Sequence, residues 1–429
     1  MTHRRLAYFL PDAFDLVDPT FDFDKETRSK TGTANRHRNY QYAHELFPKR
    51  VYDGMLISKG IVDPLDGTTG HYSPAQRERI ERDGGRAFLR LTDRRIPIMG
   101  DCGAFSYVSQ IKPPVTVDEV LQFYEEWDVN YGLSVDHVIR TYTATHDHGG
   151  TKELDPEVRE RQAITIQLAT EFFETHRTQK CQLIPMGVAQ GWSPLSYAFA
   201  VTKLQQIGYT YIALGGLVTL KTKDILAVLQ AIATVRASKT QLHLLGVTRT
   251  DAMPFFPGLG VVSIDSTAPL RRAFKDQKEN YYTANPKLSY TAIRIPQVGG
   301  NPDLRKRIAS GEIPNDDARQ LEQECLDALK AYDHDKRTLQ DTVKTLRAYE
   351  KIHHPKTDMS EVYTDVLRSR PWRKCPCQVC KELGYHVILF RGAERNRRRG
   401  FHNIWTFYNK HLKGLPDEES AAAEILVTS

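Results

Sequence analysis

The sequence predicts a (β/α)8 barrel from the order of its apolar and amphipathic segments. Between about residues 53 and 275, short apolar runs alternate with longer segments of helical periodicity. Strict alternation of strand and helix implies parallel strands joined by right-handed crossovers. The apolar runs are continuous rather than alternating, as expected of strands that are buried on both faces. A doubly wound open sheet is the alternative architecture.

Seven apolar runs are the candidate strands, and residues 87–91 are a candidate for the eighth. The seven runs are residues 55–58, 96–99, 133–139, 182–188, 211–214, 241–245 and 261–264. Helices are predicted where apolar residues recur at the helical period or a capping residue precedes the segment. These segments are residues 117–127 after Thr116, 156–178, 194–207 after Ser193, and 222–237.

These patterns divide the chain into two predicted domains. Residues 1–300 form the barrel with an N-terminal extension, and residues 301–429 form a C-terminal part. We expect the C-terminal part to combine polar helices with a basic, cysteine-containing subdomain that packs on the barrel.

The composition favours a folded cytoplasmic protein. Hydrophobic residues make up 40% and charged residues 26% of the 429 residues, which supports a packed core. The N-terminal apolar run stops at Leu10 and acidic residues follow, so no secretory signal is predicted. No stretch offers about 20 consecutive apolar residues, so we expect no membrane span. Sparse, unevenly placed cysteines fit a reducing compartment.

Positive charge is concentrated near the C-terminus. The net charge is +6, but residues 368–414 alone hold twelve Lys or Arg and two Asp or Glu, a net of +10. The rest of the chain therefore carries −4. Basic clusters of this kind often contact phosphate backbones, which favours a nucleic-acid partner. A solvated basic surface is the alternative.

Polar or glycine residues follow nearly every predicted strand at its carboxyl end. In a barrel these positions meet at one mouth, where catalytic groups lie. Three carboxylates at one mouth suit glycosidic chemistry, because one can attack an anomeric carbon and another can protonate the leaving group. They would equally suit a divalent cation, and any single Asp could be a cap or turn residue. The residues are Asp101, Asp136, Gln190, Gly215, Gly216, Gly246 and Asp265.

Three of the six cysteines, Cys375, Cys377 and Cys380, lie within six positions. Thiolates at this spacing can converge on one tetrahedral ion, and Zn2+ favours Cys3His ligand sets. We therefore predict a structural zinc site, because a disulfide would leave one thiol over and a redox pair would leave Cys375 unexplained. The residues alone leave the fourth ligand open among four histidines: His386, which is nearest in sequence, His402, His353 and His354.

Two further motifs are predicted to have no catalytic or cofactor-binding role. THDHGG at residues 145–150 contains two histidines and an aspartate, and its glycines predict a polar loop rather than a catalytic metal site. FFPGLGVV at residues 255–262 has glycines, but a strand follows them where a dinucleotide fingerprint needs a helix. We therefore expect no organic cofactor.

Seven short segments, in this order, resemble the queuine/archaeosine tRNA-guanine transglycosylase family. They are MGDCGAF (99–105), LSVDHV (133–138), GVAQGW (187–192), YIALGGL (211–217), LLGV (244–247), SIDS (263–266) and C-x-C-x-x-C followed by HN at 402–403. Each segment is weak alone, and their shared order makes the combination specific. The resemblance runs from about residue 95 to residue 408, with gaps.

The resemblance implies a (β/α)8 barrel with a zinc-bearing subdomain that exchanges bases on a nucleic acid. Asp265 resembles the nucleophile that displaces guanine from C1′ and forms a covalent nucleotide intermediate, with configuration retained after two inversions. Asp101 resembles the general acid/base, which also contacts the base. The reacting nucleotide must be everted into a pocket.

Further positions match the binding residues of the family. The residues that resemble its base-recognition groups are Asp136, Gln190, Gly215 and Gly216. Cys102 stands where the family has a serine, and we expect it to contact the substrate. The residues that match its zinc ligands are Cys375, Cys377, Cys380 and His402. With His402 as a ligand, zinc would close a span with arginines at 391, 395 and 397–399, which we expect to form a surface for phosphates.

Departures from the tRNA enzymes favour a DNA substrate. Ala104 replaces a family glycine, and the segment after Asp265 lacks the bacterial Pro-Thr-Arg. These features resemble the DpdA-type members, which insert 7-deazaguanine bases into DNA. We predict exchange of guanine in DNA for free 7-cyano-7-deazaguanine, with a helper protein that opens the duplex as a further hypothesis. The alternatives are the same exchange on tRNA and a non-catalytic nucleic-acid-binding barrel.

Overall fold

The computed structural model describes residues 6–13, 15–28, 36–63, 72–143, 156–275 and 277–415. These residues form two compact units: one lies within residues 1–14, 52–267 and 415–429, and the other within residues 15–51 and 268–414. The predicted domain boundary at residue 300 stays a prediction, because units grouped by proximity need not be domains that fold alone. The predicted THDHGG loop lies outside the described residues. No helix within these ranges is long and apolar enough to cross a membrane.

The first unit contains a closed barrel of eight parallel strands, arranged in the order in which they occur along the chain. The strands are β1 (Ala7–Pro11), β2 (Gly54–Ser58), β3 (Ile98–Asp101), β4 (Tyr131–Leu133), β5 (Ile184–Ala189), β6 (Tyr211–Leu214), β7 (Gln241–Leu244) and β8 (Val261–Asp265). β8 pairs with β1 in parallel, with Asp265 opposite Phe9. This pairing leaves none of the eight strands as an edge, so the predicted barrel is confirmed and the open sheet is wrong.

The first barrel strand is not among the predicted ones. Residues 87–91, the predicted candidate for the eighth strand, end the helix Gly85–Phe88 and continue as a turn in which Arg90 has a φ of 55°. The eighth strand is instead the N-terminal run AYFLP, which sequence analysis considers only as a signal peptide. The predicted run 133–139 is strand only as far as Leu133. Beyond it the Ser134 N–H donates to Met186 O, and the chain turns into the mouth.

The helices surround the barrel or belong to the second unit. In chain order they are α1 (Arg36–Asn39), α2 (Ala43–Leu46), α3 (Lys59–Val62), α4 (Pro74–Asp83), α5 (Gly85–Phe88), α6 (Val117–Glu126), α7 (Pro156–Gln179), α8 (Pro194–Ile207), α9 (Thr222–Val235), α10 (Ala268–Lys275), α11 (Pro302–Ala309), α12 (Asn315–Asp333), α13 (Leu339–His353), α14 (Ser360–Ser369), α15 (Pro371–Lys374), α16 (Gln378–Leu383) and α17 (Gly392–Thr406). Short strand pairs join β9 (Tyr281–Tyr282) to β10 (Ser289–Tyr290) and β11 (Ile293–Arg294) to β12 (Leu389–Phe390).

Two predicted capping residues begin barrel helices. Thr116 Oγ1 accepts the Glu119 N–H at the start of α6, and the Glu119 carboxylate accepts the Thr116 N–H at 2.7 Å. Ser193 Oγ accepts the Ser196 N–H at the start of α8. These bonds satisfy backbone N–H groups that have no partner inside the helix. They therefore fix where the connection from β5 ends and α8 begins.

Side chains from the strands fill the interior of the barrel. The buried cluster consists of Phe9, Leu56, Met99, Leu133, Met186, Val188, Tyr211 and Ala213. Barrels of this size hold a packed core rather than a channel. Functional groups are therefore expected at the strand ends, above this core.

A buried ion cluster lies in the second unit. The Glu26 carboxylate accepts hydrogen bonds from Arg391 at 2.6 and 2.7 Å, from Gln297 at 2.7 Å, and from Arg395. Arg391 also donates to Glu322 at 2.5 Å. Arg391 and Arg395 are only 5% and 2% exposed, so this cluster belongs to the interior of the unit.

The arginine-rich segment RGAERNRRRG does not form the predicted surface for phosphates. Its buried arginines are Arg391, Arg395, Arg398 and Arg399. Arg399 donates to the carbonyl oxygens of Val387 and Leu389 at 3.1 and 2.8 Å, and Arg398 donates to Asp18 O at 2.8 Å. The prediction is wrong for these four arginines, because their guanidinium groups make internal hydrogen bonds instead of facing solvent. Arg397 is half-buried and forms ion pairs with Asp15 and Glu394.

Glu26→Gln is expected to reduce the free energy of unfolding by roughly 3–5 kcal/mol, because two buried guanidinium groups lose a carboxylate and only Arg391 keeps another, that of Glu322. Burial alone would raise the pKa of Glu26, but hydrogen bonds from Arg391 and Gln297 outweigh it and lower the pKa to about 2. The stabilisation is therefore complete above the ordinary pKa of 4.5 and is lost as the pH falls towards 2. Urea unfolding at neutral and acidic pH measures both effects.

Lys330→Gln is the matched control for Glu26→Gln. It removes an exposed ion pair with Asp24, in which both side chains are at least half exposed. The expected cost is below about 1 kcal/mol. Equal losses in the two variants would contradict a special role for the buried cluster.

Candidate active site and metal centre

The polar residues predicted at strand ends lie at the carboxyl ends of their strands. Asp101 and Asp265 are the last residues of β3 and β8. Asp136 lies three residues beyond β4, and Gln190 and Gly215 directly follow β5 and β6. Because all eight strands are parallel in a closed barrel, these ends share one mouth.

The carboxylate of Asp265 is held by two groups at one oxygen. Its Oδ1 accepts the Gly246 backbone N–H at 2.9 Å and lies 3.1 Å from His243 Nε2. The Asp265 side chain is 8% exposed, and that of His243 is fully buried. The carboxylate therefore has a fixed orientation at the mouth while keeping a small accessible surface.

Two other carboxyl groups at the mouth have raised pKa values. Burial raises the pKa of Asp101 to about 6, although hydrogen bonds from Ser58 and the Gly103 backbone favour its carboxylate form. The negative charge of Asp265 raises this pKa further. Burial also raises the pKa of Asp136 to about 7, and the charge of Asp101 adds to the effect. Carboxyl groups that titrate near neutral pH can serve as both proton donors and proton acceptors.

Gln190 and two glycines form a polar surface beside Asp136. Gln190 Nε2 donates to Asp136 Oδ2 at 2.6 Å, and Gln190 Oε1 accepts the Ile139 N–H at 3.3 Å. A Cβ atom at Gly215 would lie 2.2 Å from Gln190 Nε2, and Gly216 has a φ of +76°. A side chain at Gly215 would displace the Gln190 amide, and the backbone of Gly216 favours glycine, so a carboxyl group, an amide and bare backbone meet here.

Cys102 lies against Asp136. Its thiol donates to Asp136 Oδ1 at 3.3 Å, and its Sγ is 3.2 Å from the Tyr107 hydroxyl. Burial raises the pKa of the Cys102 thiol well above its usual value, which favours the neutral thiol. Its contact with substrate stays a prediction.

His243 is a site residue that sequence analysis does not select. It occupies the third position of the apolar strand QLHL. Leu245, two residues later, packs against the barrel core, and alternation along a strand places His243 on the same inward side. A titratable side chain on the inward side of an apolar strand is the signal that could have identified it.

The second unit brings His402, rather than His386, to the three cysteines. The Sγ atoms of Cys375, Cys377 and Cys380 lie 3.6, 3.4 and 3.4 Å from His402 Nδ1. A tetrahedral zinc ion with Zn–S bonds of about 2.3 Å and a Zn–N bond of about 2.0 Å has S···N edges of about 3.5 Å. These four residues could therefore hold a tetrahedral metal ion.

Neighbouring groups orient His402 for this role. Its Nε2 donates to the Tyr282 carbonyl oxygen at 2.9 Å, which leaves Nδ1 to face the thiols. The Tyr281 ring stacks on the imidazole with centroids 4.0 Å apart. His386 instead stacks on Tyr385, and burial lowers its pKa to about 4. Nearness in sequence is thus a poor guide to the fourth ligand.

Comparison with known proteins agrees with the geometry of the mouth. The chain is 46% identical over 409 residues to the DNA-guanine transglycosylase of Salmonella montevideo, which covers 95% of this chain and 96% of the relative. The chain belongs to the DNA-guanine transglycosylase family. The predicted enzyme class, a guanine transglycosylase, is thereby confirmed. No family model matches the sequence.

Asp136→Asn is expected to flatten the pH dependence of the stability of this transglycosylase. The pKa of Asp136 in the folded protein, about 7, exceeds the ordinary 3.8, so the folded state binds more protons between these values. The free energy of unfolding therefore falls as the pH rises through this window, by about 1.4 kcal/mol per unit of pKa difference. The variant lacks this contribution because an amide does not titrate. Urea unfolding across the window measures the slope.

Asp251→Asn is the matched control, since it removes an exposed carboxyl group from the same unit. Its slope is expected to follow that of the unaltered transglycosylase. Parallel slopes for Asp136→Asn and the unaltered protein would contradict a raised pKa at Asp136.

His402→Ala is expected to lower bound metal far more than His386→Ala. The first variant removes a group within 3.6 Å of all three thiols, whereas the second removes one that stacks on Tyr385. Metal per chain, measured by atomic emission after dialysis, tests this difference. A greater loss in His386→Ala would return the fourth position to the nearer histidine.

Proposed function

We propose that this transglycosylase replaces guanine in DNA with a 7-deazaguanine through a covalent bond between Asp265 and the nucleotide. The observation that carries the proposal is the meeting of three carboxyl groups at one mouth in different environments. Asp265 is held at one oxygen by two groups, whereas Asp101 and Asp136 have raised pKa values. The name of the Salmonella relative supports DNA as the substrate.

The exchange has two half-reactions. Asp265 attacks C1′ of an everted nucleotide, and the C1′–N9 bond breaks with its electron pair on guanine. Asp101 in its acid form protonates the leaving guanine, and its pKa of about 6 keeps some acid form available near neutral pH. The incoming base then loses a proton to Asp101, and its N9 displaces Asp265. The two inversions retain the configuration at C1′.

Asp136 is the proposed centre of base recognition. A carboxylate can accept two N–H bonds from a guanine-like edge, which is a charge-assisted and bidentate contact. The amide of Gln190 and the backbone of Gly215 and Gly216 lie beside it, and the thiol of Cys102 lies against it. Guanine and 7-cyano-7-deazaguanine share this edge and differ at position 7, so one pocket can accept both bases.

The proposed metal is a structural zinc ion. Cys375, Cys377, Cys380 and His402 would fill all four tetrahedral positions, which leaves none for a substrate or an activated water molecule. When bound, zinc would supply a crosslink within the second unit. The exchange itself balances without an organic cofactor, because one glycosidic bond replaces another.

The same exchange on tRNA is the second candidate substrate reaction. The sequence segments that resemble the tRNA-guanine transglycosylase family favour it. Discrimination between RNA and DNA would require a contact with the sugar 2′-position. Either substrate must present an everted nucleotide, because the side chains of Asp136 and Asp265 are largely buried. That requirement is the reason for retaining a duplex-opening helper protein as a hypothesis.

Asp265→Asn is expected to reduce base exchange by at least roughly 10³-fold, because an amide cannot replace the attacking carboxylate. Incorporation of labelled guanine and of 7-cyano-7-deazaguanine is measured on duplex DNA, on DNA with an unpaired target guanine, and on tRNA. The surface variant Asp251→Asn is the control and should keep its activity. Exchange on tRNA alone would overturn the DNA assignment, and full activity of Asp265→Asn would overturn the nucleophile. Equal rates on paired and unpaired guanine would show that duplex opening is not limiting.

A further inference from the structure

A chain of hydrogen bonds runs through the barrel to Asp265. The Tyr211 phenol contacts Ser263 Oγ, which lies 2.6 Å from His243 Nδ1. His243 Nε2 lies 3.1 Å from Asp265 Oδ1. These side chains belong to the neighbouring strands β6, β7 and β8, and each of the four residues is buried.

For a neutral imidazole at His243, donor and acceptor capacities give this chain one direction. The carboxylate of Asp265 can only accept, so the proton lies on His243 Nε2. In the neutral imidazole, Nδ1 then accepts the hydroxyl proton of Ser263. Ser263 Oγ in turn accepts the phenol proton of Tyr211. Every donor therefore points along the chain towards Asp265.

The two groups that hold Asp265 meet at the same oxygen. Both His243 Nε2 and the Gly246 N–H lie against Oδ1. Within the part of the chain that the structure describes, no hydrogen bond to Oδ2 is seen. The carboxylate is therefore unsymmetrical, with one anchored oxygen and one oxygen that is available to form a bond.

We propose that His243 is a positioning residue that anchors Oδ1 and leaves Oδ2 of Asp265 as the attacking atom. This inference rests on the proposed role of Asp265 as the nucleophile. The C1′–Oδ2 bond forms as the C1′–N9 bond breaks, and the electron pair of the broken bond leaves on guanine. His243 keeps its proton throughout.

The anchored oxygen has the same hydrogen-bond partners in both half-reactions. In the covalent intermediate Oδ1 is the carbonyl oxygen of the ester, which still accepts from His243 and Gly246. When the incoming base attacks, negative charge returns to the carboxylate, and the same donors are already in place to stabilise it. The chain therefore supports both formation and breakdown of the ester without rearrangement.

Other groups around His243 bear on the pH dependence of this arrangement. The described titratable groups that face it are Asp265 on β8, Asp101 on β3, which interacts with it electrostatically, and Tyr211 on β6 through Ser263. The Phe9 ring on β1 packs edge-on against the imidazole, with centroids 6.1 Å apart. Substitution of His243 therefore acts on Asp101 as well as on Asp265, since His243 contributes to lowering the pKa of Asp101.

The test compares His243→Leu, which removes the donor, with His243→Gln, whose amide N–H can take the place of Nε2–H. The rate of covalent adduct formation with a guanine-containing oligodeoxynucleotide is measured on denaturing gels over about pH 5–9. His243→Leu is expected to slow adduct formation by roughly 10²-fold. Its acid limb should move to higher pH, because a carboxylate that loses a donor is protonated more easily. His243→Gln should stay within about tenfold of the unaltered enzyme and keep its acid limb.

Several outcomes would overturn the inference. His243→Leu could form the adduct at the unaltered rate and pH profile, or His243→Gln could be as slow as His243→Leu. If His243→Leu does not fold, Ser263→Ala interrupts the same chain, and an unaltered rate and pH profile there would overturn it equally. Base exchange by the unaltered enzyme without an Asp265-dependent adduct would overturn the proposed role of Asp265 as the nucleophile as well. This result can be told apart from failure of the His243 inference, because it concerns no His243 variant.

Discussion

Closure of the barrel by the pairing of β8 with β1 is the constraint on which the site depends. It places Asp265 opposite Phe9 and completes a ring of strands that all point the same way. Aspartates far apart in the sequence, at positions 101, 136 and 265, consequently share one partly enclosed mouth. Carboxylates in such a place cannot all ionise freely: burial raises the pKa of Asp101, and the charge of Asp265 contributes to the same shift. The fold thus brings carboxyl groups in different environments together, as the proposed exchange requires.

The three aspartates differ in their surroundings rather than in their chemistry. Asp265 meets the Gly246 N–H and a histidine, which orient a carboxylate. Asp136 is buried beside a glutamine amide and the Cys102 thiol, and its raised pKa shows that burial outweighs these two donors. In the proposed exchange, a pocket that must release one base and accept another benefits from this balance, because strongly fixed charges would hold either base too tightly.

The sequence was sufficient to predict strands and helix starts where a local pattern depends directly on the burial or capping of those residues. Continuous apolar runs reported strands that are buried on both faces, and Thr116 and Ser193 reported helix starts. β1 was not predicted because five apolar residues near a basic N-terminus look the same whether they begin a barrel or a signal peptide. The choice of His402 required the family resemblance, because spacing along the chain favoured His386. The contacts of His243 could not be read from sequence, since Ser263 and Asp265 come from another strand.

The prediction of a cationic surface from the count of basic residues was wrong for a different reason. The segment 391–399 looks like a cationic surface because its acidic partners are distant in sequence: Glu26 lies 365 residues before Arg391. Folding brings such partners together, and burial then makes each guanidinium dependent on an internal acceptor. The exposed cations of residues 368–414 lie outside this segment and include Arg368, Arg373, Lys374, Lys381 and Lys410. Contact of this region with phosphates therefore falls mainly to these exposed side chains, which attract a backbone without reading its sequence.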